Sequence, residues 1–267
     1  MIQRAFCNEL FSSLPFPRFC DMLASNGFHG TELDPATCFE QVDSATPREL
    51  TRVRNALNSA GITFVGFHWL LRHPPGLSLF AENQELRDRS WRRLDHLSAL
   101  CLELGGAVLV IGSGPQRRIN STPLQDAVHY TADRLSQLGE KYPGVRYCVE
   151  PLPPGRTDFL TSLEQVSELL QLCSGSVGAV FDFRNASSEE RTHHELLHRY
   201  MSCIRHVHLN ELDGCAPTGR GMNFRTAADL LHRGDYSGWV SVEPFHLVDS
   251  MAETVAGTAR YLDEAGL

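Results

Sequence analysis

The sequence predicts a single-domain α/β fold of the (β/α)8 TIM barrel type, spanning 1–267, on three observations. Short apolar runs alternate with longer amphipathic segments from one end of the chain to the other. Eight such strand-then-helix units can be counted, with no linker or break in composition between them. The 267 residues match the roughly 250 that one such barrel needs.

Each unit has its own signals. Ile2–Cys7 reads as the first strand, and Pro15–Asn26 as a helix closed by Gly27. Phe28–Leu33 is the second strand. Thr46 caps a helix that has Pro47 at its first position and stops at Gly61. Ile62–Phe67 leads into a long helix, Asn83–Leu104, which Gly105-Gly106 ends. Ala107–Ile111 is followed by Pro123–Lys141 with Thr122 as the expected cap. Val145–Val149 pairs with Ser162–Cys173, Val177–Phe181 with Ser188–Cys203, and Ile204–Leu209 with Phe224–Arg233. Trp239–Val242 and a closing helix, Val248–Ala265, complete the set. An open doubly wound sheet is the alternative. It would want a Gly-rich turn after an early strand, and Asn8–Ser13 contains no glycine.

Composition narrows the function. Apolar residues make up 42% and charged residues 21%, as in a globular enzyme, and the net charge of −8 argues against a nucleic-acid partner. No apolar stretch approaches the roughly 20 residues of a membrane span, and the start MIQRAFCNELFSSLPF has no leader pattern, so no membrane association and a cytoplasmic location are expected. The eight cysteines form no C-x-x-C pair and are expected to be reduced, mostly buried thiols.

In such a barrel the functional face lies at the C-terminal ends of the strands. There the fifth strand ends in Glu150-Pro151, the sixth in Asp182, the seventh carries His206-Val207-His208, and the eighth ends in Glu243-Pro244. Four consecutive strands each deliver a carboxylate or an imidazole at one height. Three converging carboxylates repel one another, and a divalent cation resolves that repulsion. Glu150, Asp182, His208 and Glu243 are therefore the expected metal ligands. An oxygen-rich set with one nitrogen favours one divalent ion, Mn²⁺, Mg²⁺ or Co²⁺, with zinc as a further alternative. His206 faces the same way as His208 and is expected to pack or to support it.

The segments around Glu150, Asp182, His206–Glu211, Pro217–Gly221 and Gly238–Phe245 resemble the sugar phosphate isomerase/epimerase family of xylose-isomerase-like barrels, which includes D-tagatose 3-epimerase and hydroxypyruvate isomerase. The resemblance covers essentially the whole chain. It implies the same four ligands, and it casts Glu150 and Glu243 as the catalytic pair that moves protons beside a carbonyl, through an enediolate, in a divalent-metal-dependent isomerase or epimerase. Ketose 3-epimerases of this family carry a glutamate, a histidine and an arginine where this chain has Arg156, Asn185 and Gly214. The core chemistry thus carries over better than the free-ketose specificity.

The expected substrate is a small sugar or sugar acid, held by His68, Arg117, Arg156, Arg184 and Arg220 around the mouth, the arginines suiting a carboxylate or phosphate. The competing expectation pairs these arginines with Asp158, Glu189 and Glu211. Trp69 is expected either to floor the pocket with His68 or to pack in the core, Glu32 to meet an arginine, and Asn8 and Glu9 to close the pocket bottom. A keto-acid or sugar dehydratase or lyase, and a catalytically silent sugar-binding barrel, are alternative readings. An endonuclease IV type of activity fits poorly, because the strand-end histidines are few and the basic face is missing. A homodimer or tetramer is compatible with the sequence.

Overall fold

A computed structural model describes residues 2–267. Eight parallel strands close into one barrel in sequence order: β1 (Gln3–Cys7), β2 (Gly30–Leu33), β3 (Thr63–Phe67), β4 (Val108–Ile111), β5 (Arg146–Val149), β6 (Val177–Asp182), β7 (Ile204–Leu209) and β8 (Trp239–Val242). Closure is made by β1 against β8, with Gln3 opposite Trp239 and Phe6 opposite Val242. Ten α-helices accompany them: α1 (Phe16–Ser25), α2 (Pro35–Cys38), α3 (Pro47–Ala60), α4 (Gln84–Glu103), α5 (Leu124–Lys141), α6 (Leu163–Leu170), α7 (Phe183–Ala186), α8 (His193–Tyr200), α9 (Phe224–Arg233) and α10 (Met251–Ala265).

Two cores follow from the strand period of two. Outward residues such as Phe6, Leu109, Val149, Phe181, Val207 and Val242 join the helix faces in one large apolar layer. Ala5, Val65, Val108, Val110, Cys148 and Val180 form a smaller cluster packed against Trp239 at the start of β8. No helix among the described residues is long and apolar enough to cross a membrane. The cysteines are free, as expected, with Cys173 and Cys203 partly exposed and the rest buried.

The differences from the sequence reading lie at helix starts. The helix expected over Ser188–Cys203 starts late, at His193, and a separate short helix precedes the segment. Asp182 caps α7 by accepting from the Asn185 amide, and α8 starts later, at a capping box of Thr192 with Glu195. A second box, Ser250 with Glu253, moves the start of α10 to Met251. Thr122 does not cap α5; Pro123 occupies that position and offers no side-chain bond. The unexpected α2 forms because Asp34 accepts from the Ala36 amide ahead of Pro35.

Candidate metal centre

Glu150, Asp182, His208 and Glu243 are all buried, and their ligand atoms lie within 4.8 Å of one another. They project from the ends of β5 to β8, where the apolar runs stop. The loop after β4 makes room for one of them: a Cβ on Gly112 would collide with Glu150 Oε2.

Their surroundings fix each side chain. Asn185 Nδ2 donates to Glu150 Oε1 at 2.8 Å, and the Asn185 amide donates to Asp182 Oδ1 at 2.6 Å. Asn210 Nδ2 donates to Asp182 Oδ2 at 3.1 Å and to the Glu243 carbonyl at 3.2 Å. Asn210 follows His206 and His208 at the same two-residue spacing, the signal in the sequence that could have assigned it to this face. Glu32 does not meet an arginine. It lies wholly buried across the barrel from β7, with Oε1 2.6 Å from His206 Nε2 and Oε2 3.4 Å from His208 Nε2. The β2–β3 register shifts between Thr31 and Glu32, just where this carboxylate turns inward.

A proton on His208 Nε2, shared with Glu32, leaves Nδ1 as a lone pair. That Nδ1 lies 3.1 Å from Glu243 Oε2, yet neither atom has a hydrogen-bond partner. Two buried lone pairs facing each other fit a cation between them. The acids say the same: burial, then the charges of Glu243 and Asp182, push Glu150 well above the usual carboxylate range. Burial and Glu243 push Asp182 up to about 6. Burial opposes charge on His208, but Glu243 and Glu32 overcome it and drive its pKa well up, so without a metal a proton is drawn to the place between Nδ1 and Glu243 that a cation would fill. A divalent ion at this point would satisfy all four groups at once, and an O/O/O/N donor set suits one.

His68 is buried beside this centre rather than open to the mouth. Its Nε2 lies 3.0 Å from Glu9 Oε2, and the pair packs within reach of Glu243. Burial raises the Glu9 carboxyl above its ordinary value, whereas Glu9 outweighs the burial of His68 and lifts the imidazole to about 9. The pair therefore holds one shared proton well past neutrality. Asn8 does not close the pocket: it links β1 to α2, accepting from the Asp34 amide and donating to Thr37.

The rim arginines separate on inspection. Arg117 is buried, donating to the Ile111 and Leu160 carbonyls at 2.8 and 3.1 Å, so it braces the barrel wall near Glu150 and does not line the mouth cavity. Arg220 opens onto a different cleft, with Asp213, Cys215 and His246. Arg184 donates from Nε to the Leu212 carbonyl and stacks over Phe245. Arg156 also stacks on Phe245 and lines a mouth cavity of about 510 Å³ with Trp69, Arg72 and Arg118. Arg72 lies over the Trp69 ring at 4.0 Å, and Trp69 itself holds a left-handed backbone (φ 53°) that bulky residues rarely adopt. Arg118, expected on the rim with Arg117 in the turn after β4, does line the mouth, and Arg72 is the mouth cation that the sequence did not single out. The expected ion pairs are absent too: Asp158, Glu189 and Glu211 accept from backbone amides at Ile119, Leu163 and the 218–222 turn.

A family model described as a xylose isomerase-like TIM barrel matches residues 20–264. No curated protein sequence matches the chain. Solved structures share the fold. Among them is 3-keto-D-glucoside 4-epimerase from E. coli in its apo form, 18% identical with a TM-score of 0.82 over 99% of this chain and 100% of that one. D-psicose 3-epimerase from Clostridium cellulolyticum H10 with D-tagatose is 14% identical with a TM-score of 0.81 over 99% and 98%. A protein from Bacillus anthracis described as a probable 3-DHS dehydratase involved in petrobactin synthesis is 16% identical with a TM-score of 0.75 over 98% and 99%.

Proposed function

The chain belongs to the xylose isomerase-like TIM barrel family, and from that premise we propose that it is a divalent-metal-dependent sugar isomerase or epimerase. One observation carries the proposal: three buried carboxylates and one imidazole converge with facing, unpartnered lone pairs, next to a cavity large enough for a sugar. Structure is costly to build this way unless it serves binding and proton transfer. When bound, a divalent ion would be held by Glu150, Asp182, His208 and Glu243, and would polarise a substrate carbonyl.

The chain's own residues then move the proton. Glu150 has one oxygen pinned by Asn185 and the other free above Gly112. That places Glu150 to take a proton from the substrate and to return it. Glu243 is the second carboxylate at the site, with the buried Glu9–His68 pair at its back. Paired bases fit chemistry at a carbon next to the carbonyl, where a proton leaves and returns. Trp69 and Phe245 offer apolar faces to a sugar ring, and Arg72, Arg118 and Arg156 offer charge to an acid group on it. A carboxylate or phosphate on the substrate accounts for three cations at the mouth of a protein with net charge −8.

A dehydratase or lyase acting on a keto acid starts with the same proton abstraction, and the three mouth arginines fit a keto acid equally. One experiment separates the two. The protein is incubated with Mn²⁺ in D2O with a panel of ketoses, keto acids and their phosphates, and followed by NMR. Deuterium incorporation with the hydroxyls retained, lost in both Glu150→Gln and Glu243→Gln, is the expected result. Loss of water identifies the dehydratase. Wild-type exchange in both variants sinks the two-carboxylate mechanism.

A further inference from the structure

A second cluster of ligand-type side chains lies outside the barrel centre, where the loop after β7 meets the loop after β8. Cys215 Sγ and His246 Nε2 are 3.0 Å apart. An Asp213 carboxylate oxygen completes a group whose ligand atoms lie within 4.8 Å of one another. Cys215 is buried and Asp213 and His246 are exposed, so the cluster has a protein-backed side and an open side. It faces a cleft of about 550 Å³ that also holds Asp249, Glu253 and Arg220.

The arrangement is held by the backbone rather than by chance side-chain rotamers. Gly214 takes a left-handed conformation (φ 92°) that turns the chain between Asp213 and Cys215. The Glu211 amide donates to the Cys215 carbonyl and the Gly214 amide to the Glu211 carbonyl, both at 2.8 Å. The Cys215 amide donates to Asp213 Oδ1 at 2.9 Å, leaving Oδ2 without a bond in that turn. The Phe245 amide donates to the Gly214 carbonyl at 2.7 Å, which fixes the His246 backbone against the same turn. A thiol, an imidazole and a carboxylate are thus presented from two loops with the fourth direction open.

We propose that Asp213, Cys215 and His246 form a second metal site, one that takes zinc through one sulfur, one nitrogen and one oxygen, with water in the open position. Three mixed protein ligands plus water is a coordination that zinc adopts readily, and the thiolate separates this site from the oxygen-rich centre in the barrel. Burial and the neighbouring Asp213 carboxylate push the Cys215 thiol up to about 11, so the metal displaces a proton as it binds. Occupancy would tie the loop after β7 to the loop after β8 one residue from Phe245, the ring on which Arg156 and Arg184 stack. The site rests on none of the barrel ligands, so it stands or falls separately from the proposed reaction.

Cobalt is the probe. Co²⁺ is titrated into the full chain and the thiolate-to-cobalt charge-transfer absorption is followed in the near ultraviolet, with circular dichroism as a check of folding. The band is expected in the wild-type protein and in Asp182→Ala, where the barrel centre is impaired. It should be absent from Cys215→Ser and at least about tenfold weaker in cobalt affinity in His246→Ala. Zn²⁺ should abolish the wild-type band by competition. No band in the wild type, or a band that survives Cys215→Ser, overturns the site.

Discussion

Replacing Glu32 by glutamine tests whether the barrel centre depends on a residue that is not a ligand. Glu32 is wholly buried and its two oxygens face two imidazoles, His206 at 2.6 Å and His208 at 3.4 Å. Opposed by burial, the charges and hydrogen bonds of those histidines still hold its carboxyl well below the ordinary range, so it is ionised in the folded protein. Glutamine keeps the volume but offers only one acceptor, and its amide then faces a donor. The longer contact should yield first. His208 loses the partner that keeps its proton on Nε2, and a shift of that proton to Nδ1 removes the lone pair facing Glu243. Loss of such an orienting carboxylate costs about 10- to 100-fold in metal affinity, or about 1.4–2.7 kcal/mol. The unpaired buried donor costs a further ~1–3 kcal/mol in the stability of the metal-free protein. Chelator competition with Mn²⁺ reads the first quantity and denaturant unfolding without metal reads the second. A dissociation constant within about twofold of wild type, alongside lowered stability, would reduce Glu32 to a packing residue and refute the orientation argument.

Further outcomes follow from the same geometry. Asp182→Ala removes one ligand together with the cap of α7, and bound divalent metal at the barrel centre should fall sharply by elemental analysis; unchanged content would sink the four-ligand assignment. Arg156 is exposed, so Arg156→Ala should raise KM for an acidic substrate by up to about fivefold and leave a neutral analogue unaffected, with equal effects on both returning it to a surface role. The Glu9–His68 pair makes a signed prediction in pH. His68 is lifted from an ordinary 6.5 to about 9, so its contribution to stability is complete below about 6.5 and is lost as pH rises from there through 9. Unfolding free energy measured across that interval should fall in the wild type and flatten in Glu9→Gln; an identical slope in both proteins would show that the pair does not carry the proton.

The four candidate ligands stood out because they close four consecutive apolar strands, and the structure brings their ligand atoms within 4.8 Å of one another. The barrel was legible for the complementary reason, that the apolar runs and helical segments alternate without exception. What joins them across the barrel was not. Glu32 meets His206 over a separation of 174 residues, and nothing local to either residue marks the contact. The rim failed at finer scale. Arg117 and Arg118 are neighbours in a tight turn, and the first points into the wall while the second donates to the Gly155 carbonyl at the mouth. A loop gives no period from which such directions can be read. The helix starts at Thr192 and Ser250 were different, since both carry the three-residue spacing to glutamate that a capping box requires.

The origin of these side chains divides the chain unequally. All four proposed ligands come from β5 to β8, while the groups packed behind them, Glu9, Glu32 and His68, come from β1 to β3 and their exits. On the proposed reading the C-terminal half supplies the ligands, and the N-terminal half would set how tightly and at what pH a metal is held. Substitutions in the first seventy residues would then reset affinity and pH response in a protein whose proposed ligand signature remains intact, and a search for those four residues alone would pass such a protein as unchanged.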